Sequence, residues 1–242
     1  MEFCGVDDSL EQMYQEVILQ AARDLHGKKH FEGADETGAA ETADLLSADL
    51  LNADPSNESN KALQAFLASA SSHATHEYCS AGQSRQFNPT CGDVATVYVA
   101  LSESEEKCDQ NGGDENMRLE SVAWDGQGCS ISQASLSIMY DLVNGQKISD
   151  VMNTYSLFRK LMESRGEGLD DEADEDVLDE AVVFQGVSRY PMRIKCALLG
   201  WESMKAAIGQ ALASHQTSQQ TSASRDSKDS EKTENKNSGE KV

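Results

Sequence analysis

The chain has 242 residues, and its 42 acidic and 20 basic side chains give a formal net charge of −22 at pH 7. Binding to nucleic acid or to an anionic membrane requires clustered lysines and arginines, so this charge excludes both as the main partner. The hydrophobic fraction of 38% is low for a globular domain, which indicates that part of the chain does not join a core.

The sequence shows no recognisable targeting segment, and its cysteines do not suggest disulfide bonds. The start "MEFCGVDDSLEQMYQ" lacks a basic region followed by an apolar one, and no stretch approaches the ~20 apolar residues of a membrane span, so we expect a cytoplasmic protein. Six cysteines in a reducing compartment do not predict a disulfide framework. They leave metal binding, thiol chemistry or simple burial to be weighed.

The N-terminal part is predicted to hold one amphipathic helix followed by a long polar insertion. In "SLEQMYQEVILQAARDL", Ser9 and Gln12 form a capping-box pattern and apolar residues recur at helical spacing. From about residue 33 to residue 84 the composition shifts to Ala, Ser, Asn, Asp and Glu. We interpret this region as an insertion or a loosely ordered arm, in which "DLLSADLL" and "LQAFLASA" can form short helices.

Regular patterns return after Phe87 and predict the folded part. The segments "DVATVYVAL" and "MRLESVAW" alternate as two antiparallel strands around a polar loop. Three helices are expected after them, at residues 132–143, 148–164 and 197–212, because their apolar residues recur at helical spacing. The predicted fold class is α+β, with a small antiparallel β-sheet packed against several α-helices.

Two polar segments complete the predicted domain organisation. An acidic insert at about residues 166–180 is expected to be a solvated helix or loop, and needs no catalytic explanation. Residues 214–242 have almost no apolar side chain, so we expect a disordered tail there. The prediction is therefore one domain at residues 1–213 and a tail at residues 214–242.

A cysteine in a Pro/Gly turn is the first candidate for chemistry. In "FNPTCGDVATVYVAL", Pro89 and Gly92 predict a sharp bend that presents Cys91 and Asp93 on the same side. A thiol and a carboxylate held together at a loop suit a metal ion or a reactive thiol.

Two further cysteines stand at predicted junctions. Cys129 in "WDGQGCSISQAS" follows a Gly-rich turn and precedes a helix, whose positive end favours the thiolate. Cys196 in "RIKCALLGW" is likewise expected to open the last helix. With Asp93 and Cys91 these residues make a possible S₃O set for tetrahedral zinc, although each cysteine taken singly is explained equally well as a small buried side chain.

Taken together, these segments resemble the SufU branch of the U-type iron–sulfur assembly proteins. The resemblance covers "LEQMYQEVIL", "NPTCGD", "WDGQGCSIS" and "GVSRYPMRIKCALLGWESMKAAI", in the order of the family. It implies zinc held by Cys91, Asp93, Cys129 and Cys196, with Cys91 as the persulfide acceptor. It also implies a zinc-dependent sulfurtransferase, a carrier that takes sulfur from a SufS-type cysteine desulfurase and passes it to the downstream cluster-assembly complex.

Two other functions stay open at this point. The first is a scaffold that assembles an iron–sulfur cluster on Cys91, Cys129 and Cys196, and the second is a structural zinc domain. Scaffold-type relatives usually carry a histidine directly before the last cysteine, whereas this chain has Lys195. That difference, and the long segment between the second and third cysteines, favour the sulfurtransferase branch.

The remaining cysteines and histidines are not expected to form a site. The spacing in "HATHEYC", which contains His73, His76 and Cys79, is metal-like, but it lies in a polar low-complexity stretch where chance is the better explanation. The other members of this set lie in terminal, loop or helix-end sequence: Cys4, Cys108, His26 and His30.

Overall fold

The computed structural model describes residues 4–31, 58–71, 78–103 and 117–234 of the chain. The helices in these ranges are α1 Cys4–Ala21, α2 Glu58–Ser71, α3 Ser130–Val143, α4 Ile148–Glu163, α5 Glu172–Leu178 and α6 Pro191–Glu234, with a 3₁₀ helix at Asp179–Arg189. The strands are β1 Ser80–Asn88, β2 Asp93–Glu103 and β3 Met117–Gln127. The α+β class, with a small antiparallel sheet and several helices, is confirmed.

The sheet is an antiparallel meander of three strands in the order β1-β2-β3. Phe87 pairs with Val94 across the first hairpin, and Val97 pairs with Trp124 across the second. The two predicted strands are confirmed, but the prediction missed β1. Its sequence "SAGQSRQFN" has no apolar alternation, and the strand forms because it pairs with β2 and contacts α6.

The main core lies between one face of the sheet and the helices α3, α4 and α6. Val97 and Trp124 of the sheet are completely buried in it, as are Phe158 of α4 and Trp201 of α6. The rings of Phe158 and Trp201 stack with their centroids 4.6 Å apart. Such aromatic pairs bury much apolar area and fix the position of α6 against the other helices.

The opposite face of the sheet is covered by α2 and by Phe31. The rings of Phe31, Phe66 and Tyr98 form a second buried cluster, with centroid distances from 4.9 to 6.0 Å. The alternative of a loosely ordered arm at residues 33–84 is therefore wrong for residues 58–71 and 78–84, since the former pack on the sheet and the latter include the start of β1. The "LQAFLASA" helix is confirmed, whereas "DLLSADLL" lies outside the described residues.

The last helix is longer than predicted at both ends. It begins at Pro191, where a proline is tolerated because the first-turn N–H groups have no partner within the helix. It continues past residue 213, and His215 is partly buried with its Nε2 3.4 Å from Glu103 Oε1. The helix therefore does not end at the predicted domain boundary between residues 213 and 214. The sequence predicts disorder from residue 214 onwards, whereas the structure has α6 continuing to Glu234. No proline or glycine interrupts that segment.

The acidic segment at about residues 166–180 is largely exposed, and its α-helix α5 covers Glu172–Leu178. The side chain of Asp171 accepts a hydrogen bond from the backbone N–H of Ala173 at 3.0 Å, which caps α5. Leu178 at the end of α5 is fully buried and attaches the insert to the core. Among the described residues, no helix is both long and apolar enough to cross a membrane.

Candidate metal and thiol site

The turn between β1 and β2 presents Cys91 and is organised by Asn88. The backbone N–H of Gly92 donates to the Asn88 carbonyl at 2.9 Å, and the N–H of Thr90 donates to the Asn88 side-chain oxygen at 3.1 Å. Gly92 has φ +79°, a conformation that glycine adopts without strain. The predicted bend is confirmed, and it leaves Cys91 exposed to solvent.

Three ligand atoms converge at this turn. The Sγ atoms of Cys91 and Cys196 lie 3.4 Å apart, and together with a carboxylate oxygen of Asp93 they lie within 4.8 Å of one another. Cys91 is exposed, whereas Asp93 and Cys196 are buried, with 3% and 5% of their surface accessible. We name Cys91, Asp93 and Cys196 the Cys91 triad. It joins the turn and the start of β2 to Cys196 of α6, which lies more than 100 residues later in the sequence.

The carboxylate of Asp93 is buried and incompletely hydrogen-bonded. Its Oδ1 accepts a hydrogen bond from the backbone N–H of Cys129 at 3.2 Å. Its Oδ2 is buried and makes no hydrogen bond of normal geometry to any described residue. Burial raises the pKa of this carboxyl, but the neighbouring polar groups, first Cys91 and then Cys129 and Ser132, together outweigh burial and hold the pKa below its usual value. A buried anionic oxygen without a donor is suited to a cation.

Cys129 lies beside the triad at the N-terminus of α3. It is the residue immediately before the helix, as predicted, and its thiol is exposed. The hydroxyl of Ser132 donates to the Cys129 carbonyl at 2.9 Å and lies 3.8 Å from its Sγ. The Sγ of Cys129 is not part of the group that converges within 4.8 Å, so among the described residues three of the four predicted ligands are brought together.

Cys196 does not open its helix, which corrects the sequence prediction. Because α6 begins at Pro191, Cys196 lies in the second turn, where its thiol is buried. Burial raises the pKa of the Cys196 thiol, and Cys91, Cys129 and Asp93 raise it further. The side-chain N–H of Asn88 lies 3.6 Å from the Cys196 Sγ and donates to it.

Sequence reasoning missed two residues that support this site. Asn88 links the turn to Cys196, and Ser132 contacts Cys129 from the first turn of α3. The signal for Asn88 is its place directly before a proline in a turn, where asparagine commonly bonds to the backbone two residues later. Ser132 has no comparable signal, because serine in a first helical turn is common.

The other candidate residues form no metal-ligating group with the described residues. His26 and His30 each pair with a carboxylate at 2.7 Å, Asp141 and Asp125 respectively. Cys79 donates to the carbonyl of Leu101 at 3.2 Å, and burial raises the pKa of its thiol. The side chains of four further candidates lie outside the described residues: Cys4, Cys108, His73 and His76.

Residues 60–197, which contain the Cys91 triad and Cys129, match the model of the family described as "NifU-like N terminal domain". The chain belongs to this family. It is a U-type iron–sulfur cluster assembly protein, as the resemblance implied.

Curated relatives of this NifU-like chain have two kinds of name. An iron–sulfur cluster assembly scaffold protein IscU of Streptococcus pyogenes serotype M1 is 35% identical over 54% of this chain and 72% of its own length. A zinc-dependent sulfurtransferase SufU of Bacillus subtilis strain 168 is 34% identical over 50% of this chain and 70% of its own. A second IscU scaffold protein, from Thermotoga maritima, is 29% identical over 50% and 72% of the two chains.

Proposed function

We propose that this protein is a zinc-dependent sulfur carrier. In this proposal Cys91 accepts persulfide sulfur from a SufS-type cysteine desulfurase, and the protein then passes it to the machinery that assembles iron–sulfur clusters. The observation that carries the proposal is the Cys91 triad, in which an exposed thiol lies 3.4 Å from a buried thiol and beside a buried carboxylate. Such a site combines a reactive cysteine with groups that can hold a metal.

The residues present fit zinc. Tetrahedral zinc sites take thiolate and carboxylate ligands, and the triad offers two sulfurs and one oxygen. Cys129 would be the fourth ligand, since its backbone N–H already bonds to Asp93. The buried Oδ2 of Asp93 has no hydrogen-bond partner among the described residues, so a bound cation would compensate the cost of burying this oxygen. When bound, zinc supplies positive charge that keeps its thiol ligands deprotonated.

Cys91 is the residue assigned to accept sulfur, because it is the exposed thiol of the triad. Its thiolate attacks the outer sulfur of the desulfurase persulfide, and a new S–S bond forms on Cys91 while the bond on the donor cysteine breaks. The donor cysteine leaves as a thiolate, and the sulfane sulfur stays at the same oxidation level. Asp93 and Cys196, both buried, would hold the turn and a bound metal while Cys91 accepts sulfur.

The residue before the last cysteine supports a carrier over a cluster scaffold. Lys195 is exposed and lies at a groove with Phe87 and Leu198, so a cationic ammonium group occupies the position next to Cys196. A protonated lysine cannot ligate iron. The relatives have both kinds of name, a zinc-dependent sulfurtransferase at 34% identity and scaffold proteins at 35% and 29%, so cluster assembly is the alternative to test.

The experiment measures alanine release by a SufS-type cysteine desulfurase with and without this protein. We expect the wild-type protein to stimulate release, and Cys91→Ser to abolish stimulation because a hydroxyl cannot carry sulfane sulfur. Cys79→Ser is the matched control, since this thiol bonds to the Leu101 carbonyl in the sheet region and should not change stimulation. Mass spectrometry of the tryptic peptide at residues 86–107 should show one added sulfur on Cys91.

Metal analysis separates the carrier from the scaffold. We expect about one zinc per chain, and X-ray absorption with three sulfur ligands near 2.3 Å and one oxygen near 2.0–2.2 Å. A brown protein whose iron and sulfide depend on the three cysteines would support the scaffold instead. An active Cys91→Ser variant with the persulfide on another cysteine would rule out the proposed role of the turn.

A further inference from the structure

The two thiols of the Cys91 triad are positioned to react with each other. Their sulfur atoms are 3.4 Å apart, one on an exposed turn and the other on the buried face of α6. The proposed carrier role uses Cys196 only as a metal ligand. A cysteine this close to a second one can also attack it once the second carries a persulfide, provided that it first gives up its proton, because thiolates displace a sulfur from an S–S bond directly.

We propose that Cys196 resolves the persulfide formed on Cys91 and releases its outer sulfur as hydrogen sulfide. This inference rests on the proposed function for its physiological source of sulfur, although the chemistry of the two cysteines does not depend on that source. The protein would then be able to deliver sulfide as well as sulfane sulfur, without an added reductant in the release step itself.

The step is balanced within the site. The Cys196 thiol first gives its proton to the ionised outer sulfur of the Cys91 persulfide, and the Cys196 thiolate so formed attacks the Cys91 Sγ. The bond between the Cys91 Sγ and the outer sulfur then breaks, and the outer sulfur keeps the bonding electron pair and leaves as hydrosulfide. The outer sulfur is thereby reduced by two electrons, and the two cysteines are oxidised to a disulfide. A dithiol reductant must reopen this disulfide before the next cycle.

The geometry favours attack on the inner sulfur over transfer of the outer one. The distance of 3.4 Å joins the Cys196 Sγ to the Cys91 Sγ, which is the inner sulfur of the persulfide. The outer sulfur would be bonded to the Cys91 Sγ at about 2.05 Å, on the side away from Cys196. To form the disulfide the two sulfurs must approach by a further ~1.4 Å. The turn permits this movement, because it is exposed and the space beside Gly92 is open. The step requires the metal-free site, since coordination engages the lone pairs of both sulfurs.

The test uses the full-length protein, treated with a chelator and held in thiol-free buffer. Inorganic polysulfide loads Cys91, rapid desalting removes the excess, and a sulfide electrode follows release. We expect about one sulfide per loaded chain, because each chain has one resolving thiol. Non-reducing mass spectrometry should find the tryptic peptides at residues 86–107 and 196–205 joined by a disulfide. Cys196→Ser should keep the persulfide on Cys91 and release sulfide at least about tenfold more slowly.

Two further variants separate resolution from metal loss and from unspecific thiol exchange. Cys129→Ser removes a proposed zinc ligand but not the 3.4 Å pair, so it should still form the crosslink between Cys91 and Cys196. Cys79→Ser should release sulfide like the wild type. Release at the wild-type rate from Cys196→Ser, or a crosslink to Cys129 instead, would overturn the inference.

The wild-type crosslink keeps the inference testable if Cys196→Ser does not fold, as judged by circular dichroism. Sulfide release without a disulfide between the two peptides would then overturn it. The polysulfide also separates this inference from the carrier role. If polysulfide-loaded protein forms the crosslink but no desulfurase ever loads Cys91, then the proposed function is wrong and the resolving reaction stands.

Discussion

Replacing Gly128 by alanine should disturb the proposed metal site without touching any of its ligands. A Cβ at this position would lie 2.3 Å from the Ser132 Oγ and 2.8 Å from the Asp93 Cγ, whereas ordinary contact begins at 3.4 Å. To restore ordinary contact, the Ser132 hydroxyl must therefore retreat by about 1.1 Å and the Asp93 carboxylate by about 0.6 Å, unless the backbone at residue 128 moves away from them. The hydrogen bond from Ser132 to the Cys129 carbonyl and that from Cys129 to Asp93 are the contacts at risk.

The expected effect on metal affinity follows from that displacement. Groups that orient metal ligands typically contribute about 10–100-fold to affinity, so we expect Gly128→Ala to weaken zinc binding by that factor, or about 1.4–2.8 kcal/mol. The assay is competition for zinc with a chromophoric chelator at fixed pH, together with circular dichroism to show that the variant is folded.

Gly209 provides the matched control for the substitution at Gly128. Gly209→Ala adds the same methyl group to an exposed position of α6 that has no atom within 4 Å, so its zinc affinity should equal that of the wild type. If Gly128→Ala binds zinc within twofold of the wild type, then Asp93 and Ser132 do not hold the site in the way that their contacts indicate.

Two predictions concern the rest of the fold. Phe66→Ala should destabilise the protein by about 3–5 kcal/mol, because the ring is fully buried between Phe31 and Tyr98. Urea unfolding checks this, with Gln64→Ala on the exposed side of α2 as the control; a change below about 1 kcal/mol would show that α2 is not docked on the sheet. For His26, the hydrogen bond and charge of Asp141 raise the pKa above the usual 6.5, so the pair stabilises the fold fully below pH 6.5 and loses its effect as the pH rises through the higher value. An NMR titration of His26 should show the raised pKa, and it should fall back towards 6.5 in Asp141→Asn; an equal pKa in both proteins would contradict the assignment.

Periodicity predicted the parts of the fold whose side chains alternate clearly between a core and solvent. The helices α3 and α4 and the strands β2 and β3 lie within a few residues of their predicted positions. It failed for β1, whose polar residues and small side chains carry no pattern of their own. That strand depends on partners far away in the sequence, β2 by hydrogen bonding and α6 by packing, and one short segment cannot reveal such partners.

Only the part of the site whose residues are close together in the sequence could be predicted from local patterns. The Pro/Gly turn predicted that Cys91 and Asp93 point the same way, and the structure confirms their convergence. Spacing alone did not link Cys196 to that turn, because the two cysteines are 105 residues apart; the resemblance to a known family linked them. The start of α6 was misplaced for a physical reason, since "RYPMRIK" lacks a polar cap and the helix begins at the proline itself.

The uneven burial of the proposed ligands favours a working site over a structural one. A zinc ion bound by four protein ligands has no open coordination position, so Cys91 would have to leave the metal before it accepts sulfur. Here Asp93 and Cys196 are buried while Cys91 and Cys129 are exposed, so one half of the site is fixed by the core and the other half faces solvent. An incoming sulfur donor can therefore reach Cys91 without unfolding the domain, and the buried pair keeps the geometry while Cys91 moves. The same asymmetry places a buried thiol 3.4 Å from the exposed one, which is the arrangement that the proposed release of sulfide requires.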